Sequence, residues 1–225
     1  MKTVFGLFFL LAITSSCYGQ INAGKEKASH SDQIEVIAQE IEDLTGKKFG
    51  EHSVMRFVPS DSIEWMMEQV DSVIAGKRLK GVEYTTAYEI SERYFDQVKA
   101  LDHYLYLTHL HFDEALRSYY DIAIVPQKDQ LEVIRLVGTT PYNYGLSNAD
   151  VIEWFRQRQQ EFDFYITVVD EDRLEANFLT EPESYEALGK AIYEFCPDVI
   201  EQGHDDMKSL VDFLKESKSM WFWWD

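Results

Sequence analysis

The chain closes on MWFWWD, Met220 to Asp225, a short way after EFCPDVIEQG, Glu194 to Gly203. Four consecutive aromatic residues at the end of an acidic chain decide the architecture. As a strand, Met220, Phe222 and Trp224 share one parity and Trp221 and Trp223 the other, so both faces need covering. Burying one such ring removes roughly 150–250 Å² from water, enough for the segment to hold a sheet together. The expectation is an interior rung of a sheet, locked beside a helix that Pro197 ends. Two other arrangements stay open: an exposed tail awaiting a partner, and a strand whose one tryptophan edge lines a pocket near the Cys-Pro-Asp corner.

Working back from this strand, the spacing predicts a helix with Met207, Leu210, Val211 and Leu214. Before it comes a helix with Tyr185, Leu188, Ile192 and Phe195, opened by a capping box of Thr180 and Glu183. DFYITVV and LEANFL, joined by DEDR, read as paired strands, and Ser147 opens a helix through Val151, Trp154 and Phe155. TTPYNYGLS is a turn-rich loop. YDIAIVP and QLEVIRLVGT read as strands; the alternation of HYLYLTHLHF suits a strand too, but with Thr108 its one β-branched residue a helix stays open, in which His109 and His111 would diverge. The earlier part reads as mostly helical: one helix through Ile34, Ile37, Ile41 and Leu44, one from Ser60 to Gly76, and one through Ala87, Ile90, Tyr94, Val98 and Leu101. VMRFVP is a short strand among them. The fold class is α+β, helices packed on a largely antiparallel mixed sheet and preceded by a mostly helical N-terminal segment. The expected division is 1–19 signal peptide, 20–102 helical segment and 103–225 α+β domain.

The second half resembles the bacterial domain of unknown function 4253 family. The matching pieces are YDIAIV, GTTPYNYGLSNADVI, the strand pair around DFYITVV, YEFCPDVIEQG and the terminal FWWD. They run in the family's order from about Asp121 to Asp225. Two departures are visible: Pro141 stands where a glycine is commoner, and DEDR replaces a smaller, glycine-containing turn, which argues against that turn closing on a ligand. The resemblance implies a domain boundary and marked positions, Cys196, Pro197, Gly203, Trp223, Trp224 and Asp225. It implies no reaction.

Each candidate for chemistry has a structural counterpart. Cys196 is a potential nucleophile, but at the C-terminal end of a helix the macrodipole disfavours a thiolate, so a buried inert thiol is expected. Asp198, Gln202 and His204 could face a pocket with Asn143 and Tyr144 of the PYNYG loop. Equally, Asp198 could cap a one-turn helix that Gly203 ends in the left-handed conformation, with Gln202 bonding backbone. His204 with Asp205 and Asp206 could form an acid–base pair or simply an acidic helix start. His109 and His111 would share one face of a strand with His103 and Asp113, a weak metal-ligand pattern, or lie on a solvated face. No glycine-rich phosphate loop, zinc-finger spacing, G-x-S-x-G or H-E-x-x-H occurs.

The composition of the 225 residues is that of a folded protein, 45% hydrophobic and 14% aromatic, with a formal net charge of −19. Such a surface repels nucleic acid and anionic lipid and suits a basic protein partner, or merely keeps the chain in solution. Lys2 followed by the apolar run Val4–Ile13 is too short for a permanent span and reads as an export signal, with no later span. Cleavage after Gly19 has Cys17 at −3, giving a periplasmic or secreted product. Lipidation of Cys17 is the alternative, with Thr14 where an aliphatic residue is usual. Either route leaves Cys196 as the one thiol and no internal disulfide. The expected protein is therefore exported, acidic and without cofactor, a non-catalytic binding module of the immunity-like or accessory kind. A hydrolase-type enzyme using the Asn143/Asp198/Gln202/His204 corner, and a metal protein through His109 and His111, are the alternatives.

Overall fold

The computed structural model of the chain describes residues 29–59 and 67–224. The expected leader with Cys17 and Gly19, the helix cap Ser60 and the final Asp225 lie outside the described residues.

Helix α1 (His30–Thr45) starts at Ser29, whose hydroxyl accepts from the Asp32 N–H while the Asp32 carboxylate takes the Ser29 N–H. It stops at Gly46, in the left-handed region at φ 67°. Strands β1 (Phe49–Pro59) and β2 (Met67–Glu83) form a long hairpin. Helix α2 (Tyr84–Lys99), capped by the Glu83 carboxylate, buries Ala87, Ile90, Tyr94 and Val98. Then follow β3 (Tyr104–Phe112), β4 (Ser118–Val125), α3 (Gln130–Val137), α4 (Asn148–Arg158), β5 (Phe164–Val169), β6 (Arg173–Phe178), α5 (Tyr185–Phe195), α6 (Met207–Ser217) and β7 (Ser219–Trp223).

The seven strands make one sheet in the order β1-β2-β4-β3-β5-β6-β7. Every pairing is antiparallel except β3 with β5, which meet at Leu107 and Val168. The expected α+β class, with helices on a largely antiparallel mixed sheet, is the observed one. Helices lie on both faces. Helices α1 and α2 bury Leu79, Leu105, Leu107, Ile122 and Ile124 on one face. Helices α3 to α6 bury Tyr104, Tyr106, Ile166, Leu174, Phe222 and their neighbours on the other. The expected boundary at 102/103 falls between α2 and β3, but the sheet runs across it, since β2 pairs with β4.

Four local expectations need correction. The helix read from Ser60 to Gly76 is a strand from Met67 on; its 3–4 spacing was incidental, and Val73 is exposed. LKGVEY is not a break, because β2 continues to Glu83 with Gly81 at φ 66°. QLEVIRLV is the helix α3, capped by Asp129 and stopped by Gly138 at φ 88°; its β-branched residues point into the core from a helix instead. Helix α5 is capped by Ser184, whose hydroxyl accepts from the Ala187 N–H, while Thr180 accepts from the Asp163 N–H and holds the start of β5.

The terminal strand is the outer rung of the sheet, not an interior one. Its Met220, Phe222 and Trp224 side chains are buried all the same, among Phe155, Phe195 and Trp154 from the helices. Trp221 and Trp223, on the other face, stay half-buried.

Candidate functional site

The expected corner assembles in part. The loop after α3 turns through a short 3-10 segment, Tyr142–Tyr144, with Gly145 at φ 68°. It brings the Tyr144 hydroxyl onto the Asp198 carboxylate, and that bond, with burial, pushes the phenol's pKa up. Asp198 is itself buried, at 2% exposure. Asn143 and Gln202 lie exposed. His204 turns the other way, its ring 5.1 Å from that of Phe213 and 5.8 Å from that of Trp221. Burial lowers its pKa from 6.5, and its Nε2 meets no hydrogen-bond partner among the described residues. The cavity beside His204 is shared with Asp205, Asp206 and Lys208 and with none of Asn143, Asp198 or Gln202. The five residues therefore do not converge on one pocket.

Asp198 is no cap either. Residues Val199–Gly203 form a π-helical turn to which its side chain makes no capping bond. Gly203 is not in the left-handed conformation. It is needed for space: a Cβ there would stand 2.5 Å from Cη2 and 2.7 Å from Cζ2 of the Trp221 indole. The Cys196 Sγ donates to the Trp223 carbonyl at 3.2 Å, and burial pushes the thiol up to about 12. Trp224 fixes the same end, its backbone N–H donating to the Asp172 carbonyl at 3.1 Å. The cysteine, the glycine and the closing tryptophans thus form one structural unit.

Residues 121–225 match the family described as Domain of unknown function (DUF4253). No curated protein and no solved structure matches the chain. Within the DUF4253 segment the unit just described serves to hold β7 against β6 and α5, and β7 in turn presents Trp221 and Trp223 on the face opposite Met220 and Phe222.

That face holds the concave feature that sequence reading missed. Helices α1 and α2 cover the β2-β4-β3 part of the sheet and stop short of β6 and β7. The gap is a cleft of about 500 Å³ between Tyr84, Tyr88 and Tyr120 on one side and Trp221 and Trp223 on the other. Its floor is β6, where Arg173 pairs across the ladder with Trp223, Glu175 with Trp221, and Asn177 with Ser219. The Tyr88 hydroxyl donates to Glu175 Oε2, the Tyr120 hydroxyl to Oε1 at 3.4 Å, and Tyr84 bonds Tyr88. Burial raises the Glu175 pKa, although Tyr88 and Arg173 pull it down. The Arg173 guanidinium lies 5.9 Å from the centre of the Trp223 ring and bonds Tyr120. The floor belongs to the DUF4253 segment, whereas the tyrosine wall precedes it. Only the parity of Trp221 and Trp223 signalled this site in the sequence.

The histidine pair is placed differently from expectation. A register shift between Thr108 and His111 interrupts β3, with His109 at φ 55° and its N–H on Asp170 Oδ2 at 2.7 Å. His111 stacks on Tyr119, with Nδ1 3.1 Å from the His109 carbonyl. His103 bonds the Leu101 carbonyl, and Asp113 pairs with Arg117. Among the described residues, no group of three or more His, Cys, Asp or Glu is placed to hold a metal ion. Nor is any of their helices long and apolar enough to cross a membrane. A further, polar cavity of about 370 Å³ is lined by Arg78, Lys80, His109, Asp170 and Glu171.

Proposed function

We propose that this is an exported, non-catalytic binding protein whose recognition site is the aromatic cleft over β6 and β7. The observation that carries this reading is the pairing of a tyrosine wall with two half-buried tryptophans over a polar floor. Such a lining, apolar with a few directed polar groups, is what ligand sites use, and the volume falls in their range. The reactive groups expected from the sequence offer little chemistry: Cys196 is a buried thiol with a raised pKa, and Asp198 is occupied by Tyr144. Export rests on the leader alone. The acidity that suggested a basic protein partner belongs to the outer surface, and the cleft already holds a cation of its own, Arg173.

The test is retention. The immobilised chain and its Trp221→Ala/Trp223→Ala variant are exposed to envelope and soluble fractions of the native host. Material held by the first and lost by the second supports the reading. Equal retention by both, or turnover of that material by the wild type, overturns it.

A further inference from the structure

The cleft's chemistry narrows its ligand, an inference that rests on the binding reading above. Ligands held by aromatic walls include cations, anions with an apolar body, and neutral polyhydroxylated rings. A quaternary ammonium or lysine-type cation gains from indole faces. Here Arg173 already stands over Trp223, and a second cation beside it would be repelled. No opposing charge is on offer, because Glu175 sits deep among the rings with both its oxygens on tyrosine hydroxyls. An anion could pair with Arg173, but it would approach a chain of net charge −19 and then lie beside the Glu175 carboxyl.

A sugar ring meets none of these objections. Its C–H face stacks on an indole, and its rim of hydroxyls both donates and accepts. Arg173 supplies a planar fork of donors that matches two adjacent hydroxyls. The ladder sets this guanidinium directly across from one indole, Arg173 opposite Trp223, with Trp221 next along the same face. We infer that the cleft binds a neutral polyhydroxylated ring, a sugar unit of a glycan, stacked on Trp221 and Trp223 with its hydroxyls on Arg173.

Calorimetric titration of the full chain tests this, with neutral hexose and N-acetylhexosamine tetrasaccharides, choline and succinate as probes. The expected result is saturable binding of at least one tetrasaccharide, weakened about tenfold or more by Trp223→Ala. Tyr84→Ala, at a wall position 40% exposed, provides the same readout from the other side of the cleft. Saturable binding of choline or succinate with none of either sugar overturns the inference. So does sugar binding that both substitutions leave unchanged. If no probe binds while the double tryptophan variant still loses the host material, the sugar assignment falls and the binding reading stands. If neither shows any effect, both fall.

Discussion

The Cys196 thiol donates to the Trp223 carbonyl at 3.2 Å, tying the end of α5 to the outermost strand of the sheet. With the thiol pushed from 9.0 up to about 12, almost no thiolate exists at pH 8. Alkylation by iodoacetamide is expected to run about a thousandfold slower in the native chain than after unfolding. Cys196→Ala removes the bond and leaves a small void, which costs about 1–2 kcal/mol in denaturant titration. Rapid labelling of the folded protein would contradict the buried placement.

Gly203→Ala puts a methyl group where the Trp221 ring lies. Since the clash is with the far edge of an indole, the ring can swing, and the cost should stay near 1–2 kcal/mol. The larger consequence is displacement of Trp221 from the cleft, read as a shift in tryptophan emission and weaker ligand retention. In a Trp221→Ala background the same glycine substitution should have little further effect, because the coupling passes through the ring.

His52 is fully buried, its Nε2 2.6 Å from the Tyr106 hydroxyl, and burial lowers its pKa from 6.5 to about 4. A depressed folded pKa means that the unfolded chain binds the proton first. Its contribution is therefore complete above pH 6.5 and is lost as pH falls towards 4, on the order of 3 kcal/mol in all. His52→Gln should flatten the melting temperature over this window. An unchanged slope would show the imidazole to be reachable by solvent.

Glu175 carries the opposite dependence. Its pKa is raised above the ordinary 4.5, so the folded protein holds the proton more tightly than the unfolded one. Stability is full below 4.5 and declines as pH rises through the raised value. Glu175→Gln keeps a donor and an acceptor at the position and should remove that decline, with thermal melts recorded from pH 4 to 8.

Arg78 and Asp121 form a buried ion pair, Nη2 to Oδ2 2.6 Å, and the other carboxylate oxygen accepts the Gly81 N–H at 2.7 Å. Arg78 also donates to the Ser53 carbonyl, so the group joins β1, β2 and β4. Asp121→Ala strands the guanidinium and should cost about 3–5 kcal/mol, whereas Arg78→Met with Asp121→Leu should recover much of the loss. Equal destabilisation by the single and double changes would argue against the pair as the cause.

Much of the fold could be read because local signals agreed. The Ser147 cap, the strand-like apolar runs YDIAIV and DFYITVV, and the break at Pro197 each gave the observed element. The reading failed where two signals competed. In β2 a chance helical spacing hid a strand, and in α3 the β-branched residues outweighed Asp129 and Gly138, which were the better guides. The cleft was out of reach for a different reason. Tyr88 and Glu175 touch across 87 positions of sequence, and no local pattern links them. The corner assembles only in part: Tyr144 reaches Asp198, while Asn143 and Gln202 stay exposed and His204 packs by Phe213 and Trp221, which spacing along the chain does not encode.

The order β2-β4-β3 has a consequence for anyone shortening the gene. Asp121 falls inside β4, whose ladder partners on both sides, β2 and β3, are encoded upstream. A product trimmed to the matched 121–225 stretch would keep five of the eight residues of one central strand, with nothing on either flank. It should precipitate or stay unfolded, whereas one starting before Ser29 should express as a soluble protein.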